Sequence, residues 1–129
     1  MASFVQPLLR EGTDGQTITN ARNGRVVADR LTTAFDSRSR RKGLLKQNSM
    51  AEGSALIIAP SNAIHTFFMR FAIDVAFVRK DGRVLKTRTV MPAWRLAASL
   101  RAFAVVELPS GALARADVKP GDQLIVRRA

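Results

Sequence analysis

Short apolar runs separated by turn residues dominate the chain and predict strands. Thr17-Ile18-Thr19-Asn20-Ala21 and Arg25-Val26-Val27-Ala28 flank Asn23-Gly24, a pair suited to the positive φ angles of a tight type I′ turn, so a first β-hairpin is predicted. Ala55 to Ala59 is fully apolar and stopped by Pro60, the pattern of a strand buried on both faces. Ile64 to Val78 is the most apolar region; it is too long for one ordinary strand, which predicts a bend near Arg70. Asp81-Gly82, between Val75–Val78 and Val84-Leu85, is a second hairpin signal. Met91 to Arg95 breaks the pattern, Phe103 to Leu108 resumes it, and Leu124 to Val126 closes the chain after a Lys119-Pro120-Gly121-Asp122 turn of type II character.

Two stretches depart from the strand pattern. Thr33 to Lys46 contains good helix formers with Thr32 or Thr33 as N-cap; Gly43 is expected to end this helix and leave Leu44 and Leu45 to plug the core. Ser110 to Ala116 fits a second short helix. Residues 1–15 hold Pro7, Gly12, Asp14 and Gly15 without periodicity, the profile of a loosely ordered lead-in to a single domain over 16–129. With no strand-helix-strand rhythm and no repeat, the pattern predicts an α+β domain, mainly antiparallel, curling into a small barrel-like sheet with one or two short helices.

Composition agrees with one folded domain: 129 residues, 47% hydrophobic and 24% charged. The absence of cysteine removes disulfides, thiolate metal sites and a Cys nucleophile, and a single histidine leaves little for zinc. No window suits a membrane span and the N-terminus lacks a leader pattern, so a cytoplasmic protein without cofactor is expected.

Charge adds a question, because 21 Lys and Arg against 10 Asp and Glu leave +11. The basic side chains cluster twice, at Arg38, Arg40, Arg41, Lys42 and Lys46, which read as a solvated helix face, and at Arg79, Lys80, Arg83, Lys86 and Arg88 around the second hairpin. The second cluster supports an alternative reading as a nucleic-acid-binding hairpin, although no zinc finger, helix-turn-helix or RNA-binding signature accompanies it.

The centre of the chain carries the candidate chemistry. His65, Thr66, Arg70 and Asp74 stand among Phe67, Phe68, Met69, Phe71 and Ile73, and polar groups in such surroundings need partners or solvent because unpaired burial costs roughly 2 kcal/mol each. Two readings follow: the polar lining of a ligand pocket, with Met69, Trp94 and Glu107 beside it, or a hydrogen-bonded structural corner. An enzyme is the less supported option. His65 could act as a base oriented by Asp74 or Glu107, but Ser61 or Ser110 lies in no nucleophile elbow. Asp74, Glu107 and Asp122 lack the spacing of a cation loop.

In this order the motifs resemble the domain of unknown function 192 family, from about Thr19 to Val126. The matching stretches are Asn23-Gly24 with Val27-Ala28-Asp29-Arg30, Arg41-Lys42-Gly43-Leu44-Leu45, the central block from Ile64 to Val78, Asp81-Gly82-Arg83-Val84, Pro92 with Trp94-Arg95, Val106 to Gly111, and Gly121 to Leu124. Ala72 stands where the family usually has proline, and Ala93 separates Pro92 from Trp94-Arg95. The resemblance implies a compact β-rich domain with a helix after the first hairpin, and no established activity. Taken with the residues, it leaves a small binding module for an anionic or sugar-like ligand as the leading expectation, with Arg70 as the anion-holding group.

Overall fold

The computed structural model describes residues 3–45 and 47–129; Lys46 of the first basic cluster lies outside them. Alternation along the strands sorts the apolar side chains into two cores on opposite faces of one central sheet. That sheet has five strands in the order β3 (Arg30–Ala34), β4 (Ser54–Ile58), β9 (Ala104–Pro109), β6 (Ile73–Val78) and β7 (Val84–Met91). On its first face Ala55 and Ile57 of β4, Ala76 and Val78 of β6, and Ala104, Val106 and Leu108 of β9 meet one cluster. On its second face Leu56, Ile58, Ile73, Val75, Phe77 and Val105 meet another. Burial on both sides explains why β4, β6 and β9 read as continuous apolar runs.

The first core is closed by a three-stranded sheet, β10 (Leu124–Arg128), β1 (Gln16–Asn20) and β2 (Val26–Ala28), together with α1 (Gln6–Glu11) and α3 (Ala112–Arg115). The second core is covered by Leu44 and Leu45 in the segment after α2 (Ser37–Lys42), and by a two-stranded sheet of β5 (Ala63–His65) and β8 (Leu96–Ala98). The α+β class and the dominance of antiparallel pairing hold. The sheet does not close into a barrel: it divides into three pieces, and the helices number three among the described residues rather than one or two.

Four local expectations are corrected by the packing. Thr32 to Ala34, expected to cap and begin a helix, instead lie in β3, residues 30–34, a strand parallel to β4, so β3, α2 and β4 make a strand-helix-strand unit. The helix accordingly begins later, capped by Asp36, whose Oδ1 accepts the Ser39 N–H at 2.7 Å; Gly43 does end it, and Leu44 is buried as a plug. Residues 3–15 do not trail: Phe4, Val5 and Leu8 enter the first core, and the Phe4 N–H donates to the Lys80 carbonyl at 2.7 Å. Neither hairpin has a two-residue turn, since β1 ends at Asn20 with β2 starting at Val26, and β6 ends at Val78 with β7 starting at Val84. The bend expected near Arg70 is present, as the loop between β5 and β6.

Gly82 shows how closely the second hairpin is fitted. Its φ is +93, and a Cβ there would collide with the Leu124 carbonyl oxygen and lie 3.1 Å from Phe4 Cδ1. Gly82→Ala therefore combines left-handed strain with backbone overlap and is expected to cost ~3 kcal/mol in urea denaturation. A cost below ~1 kcal/mol would show that the hairpin can move away from β10.

Candidate functional site

On the second face of the central sheet, one carboxylate interrupts the apolar side chains. Glu107 stands on β9 between Leu56 of β4 and Val75 of β6, is only 4% exposed, and its Oε2 has no hydrogen-bond partner. Burial with no compensating donor pushes its pKa up to about 7. An orphaned carboxyl oxygen on a central strand is costly to the fold, and such groups recur at sites that meet a ligand.

Glu107 lines a pocket of about 650 Å³ formed where α2, the segment after it, the end of β4 and β5 meet. Leu44, Leu45, Ile58, Ile64 and Met69 supply apolar wall; Ser37, Arg40, Lys42, Ser61 and His65 supply polar groups. Arg40 is positioned by its own helix, with Nη1 donating to the Phe35 carbonyl at 2.7 Å and Nη2 to Ser37 Oγ at 3.4 Å. Lys42 is exposed at the end of α2. The concavity thus has a buried carboxyl and a cationic side, a mixture suited to a small polar ligand.

Of the seven ligand-site candidates from the sequence, His65, Met69 and Glu107 line this pocket. The other four are placed elsewhere. Thr66 is fully buried and acts as a clasp between loops: its Oγ1 donates to the Pro92 carbonyl at 2.6 Å and accepts the Arg95 N–H at 2.9 Å. Asp74 is equally buried, its Oδ1 accepting the Val90 N–H at 2.8 Å and its Oδ2 the N–H groups of Gly111 and Leu113 at 3.1 and 3.0 Å. It joins β7 to the start of α3. Arg70 is exposed and donates to Asn48 Oδ1 at 2.8 Å. Trp94 is exposed and packs against Phe67 and Phe68. For Thr66 and Asp74 the structural-corner reading describes the contacts.

The pocket draws its cations from a segment read as a solvated helix face. Arg40 and Lys42 had a usable signal, a basic run ending at the Gly43 stop, but nothing in the spacing indicates that β3-α2-β4 brings that stop to the same pocket as Glu107. Glu107 had a plainer one, a lone acid at an inward position of an otherwise apolar strand.

The basic hairpin is largely engaged within the fold. Arg79 Nε donates to Asp81 Oδ1 at 3.0 Å, Lys80 lies 5.6 Å from the Phe103 ring centroid, Arg83 Nη1 donates to the Gly121 carbonyl at 2.9 Å, and Lys86 Nζ to the Ala98 carbonyl at 3.0 Å. Arg88 is half-buried on β7. Ser61, His65 and Glu107 share the pocket. The Ser61 hydroxyl nevertheless donates to the Ala63 carbonyl and His65 Nδ1 accepts the Phe67 N–H, so no serine-histidine contact is made. Among the described residues no helix is long and apolar enough to cross a membrane, and no group of three or more metal-ligating side chains occurs.

Fold and pocket together define a small α+β domain with one face of its central sheet opened beside a helix end. The chain belongs to the domain of unknown function 192 family, an uncharacterised family whose model matches residues 18–126. Two solved structures share the fold. A Sinorhizobium meliloti protein described as a candidate transcription regulator is 22% identical with a TM-score of 0.74, over 84% of this chain and 89% of the other. A Novosphingobium aromaticivorans protein of unknown function is 25% identical with a TM-score of 0.70, over 84% and 81%. No curated protein matches the chain.

Proposed function

We propose that the protein is a ligand-binding module whose pocket takes a small anionic, hydroxyl-bearing molecule of the acidic-sugar class. The observation that carries this reading is the unpartnered Glu107 oxygen in a pocket that also presents Arg40 and Lys42. The cations suit a carboxylate or phosphate, and the guanidinium can hold it in two-point geometry. Glu107 serves the hydroxyl-bearing part: protonated, it donates to a ligand oxygen; ionised, it accepts from a hydroxyl. Leu44, Ile64 and Met69 close the apolar side, against which the carbon face of a sugar ring fits.

A thermal-shift comparison of sugar acids and sugar phosphates with neutral sugars tests this. An acidic compound at about a hundred times its Kd should raise the midpoint by roughly 10 °C, neutral sugars should leave it unchanged, and Lys42→Glu should abolish the response. Identical responses from wild type and Lys42→Glu, or no response to any acidic compound, would remove the proposal. Nucleic-acid binding through residues 79–88 has less to draw on, because four of its five cations already have partners in the fold. A low-salt gel shift lost on charge reversal of Lys80 and Arg88 would favour it instead.

A further inference from the structure

Exposed apolar side chains are concentrated in one region. Nine large hydrophobic residues are exposed among those described, and six of them, Phe67, Phe68, Val90, Trp94, Leu96 and Leu100, lie in or beside β5, β8 and their loops. Leu100 is 87% exposed, Phe68 70% and Leu96 67%. The β5–β8 register sets His65 opposite Leu96, both turned to solvent while Ile64 and Ala97 face the core. From His65 the contacts continue outward: its ring lies 4.9 Å from that of Phe67, Phe67 lies 5.9 Å from Trp94, and Phe68 meets Trp94 edge-on at 4.6 Å. Leu96, His65, Phe67, Trp94 and Phe68 make one apolar ribbon, larger than scattered surface hydrophobics require.

The backbone holds this display at a cost. Phe68, Val90 and Trp94 have φ of 65, 47 and 65, three of the four non-glycine residues with positive φ among those described. Each turns a large apolar side chain into solvent, so core packing does not account for the strain. Charge supplies the complement. Residues 53–73 and 82–106 contain no Asp or Glu, yet carry Arg70, Arg83, Lys86, Arg88, Arg95 and Arg101. Arg70, Arg95 and Arg101 are exposed in the loops that bear the ribbon.

We propose that this face docks on the surface of an anionic lipid bilayer, Phe68, Trp94, Leu96 and Leu100 entering the headgroup–acyl boundary while Arg70, Arg95 and Arg101 meet lipid phosphates. Exposed aliphatic and aromatic tips ringed by arginine are the composition of an interfacial anchor. Single-stranded nucleic acid fits less well: Trp94 already packs against Phe67 and Phe68, and the exposed leucines have no part in base stacking. His65 lines the pocket as well as the ribbon, so the pocket opens beside the docking face.

Trp94 is the sole tryptophan, which makes its fluorescence the reporter. With vesicles of phosphatidylcholine containing about one third phosphatidylglycerol, its emission should move to the blue and the protein should co-sediment, less so as salt rises; pure phosphatidylcholine should give neither effect. The Phe68→Ser/Leu96→Ser double variant should bind at least roughly tenfold more weakly with an unchanged thermal midpoint, and Lys42→Glu, in the pocket, should leave vesicle binding intact. The proposal is overturned if Trp94 emission and sedimentation do not respond to anionic vesicles, or if the double variant binds like wild type. It is also overturned if a single-stranded oligonucleotide quenches Trp94 where vesicles do not.

Discussion

Asp74→Ala is expected to lower stability by about 4 kcal/mol or more, enough to unfold much of the population of a marginally stable domain. The cause is three backbone donors that would lose their only acceptor in the interior. Val90, Gly111 and Leu113 all donate to this one carboxylate, which is fully buried. Water cannot replace it without opening the junction of β7 and α3, and each orphaned N–H costs roughly 1–3 kcal/mol. Asp74→Asn keeps one acceptor oxygen but turns an amide N–H₂ toward the remaining donors, so it should recover only part of the loss. Urea denaturation of both variants checks the ranking. A loss below ~1 kcal/mol in Asp74→Ala would mean that the carboxylate does not hold the junction, and would reopen its reading as a site residue.

Glu107→Gln should act in the opposite sense and only at high pH. In the unfolded chain the carboxyl ionises near its ordinary value of 4.5, and in the fold at about 7. Below 4.5 both states are protonated and the residue is neutral in its effect. Between the two values the unfolded chain loses a proton that the fold retains, so stability falls as pH rises, by up to ~1.4 kcal/mol per unit. Above 7 the penalty is complete, ~3 kcal/mol. The Gln variant escapes it: its stability should match wild type near pH 4.5 and exceed it by ~3 kcal/mol near pH 8. Parallel pH profiles for the two proteins would show that the carboxyl is solvated or paired.

Much of the architecture was legible because burial on both faces leaves an unmistakable run. Ala55 to Ala59, Val75 to Val78 and Phe103 to Leu108 read as strands, and they form β4, β6 and β9. β3 was hidden for a physical reason: it lies at the sheet edge with Arg30 and Thr32 exposed, so Arg-Leu-Thr-Thr-Ala carries little apolar signal. The parallel pairing of β3 with β4 followed that strand out of view, and with it the pocket that α2 shares with Glu107 of β9. The lead-in was misread because Phe4, Val5 and Leu8 anchor by burial rather than by periodicity. In the centre of the chain, polar residues among apolar ones signalled a need for partners. Whether a partner would be a backbone amide, as for Asp74 and Thr66, or nothing within the fold, as for the Glu107 oxygen, depends on contacts across strands that sequence spacing does not contain.

The pocket reading is tested most directly by following the Glu107 carboxyl carbon by NMR through pH, with and without a bound sugar acid. Free protein should show this carboxyl titrating near 7, well above the ordinary carboxylate range. An anion held close by should favour its protonated form, so saturation should move the titration to higher pH, and affinity should weaken above neutrality by up to roughly tenfold per unit. A Glu107 carboxyl that titrates like an exposed glutamate, or one whose titration is the same with saturating ligand as without it, would contradict the account.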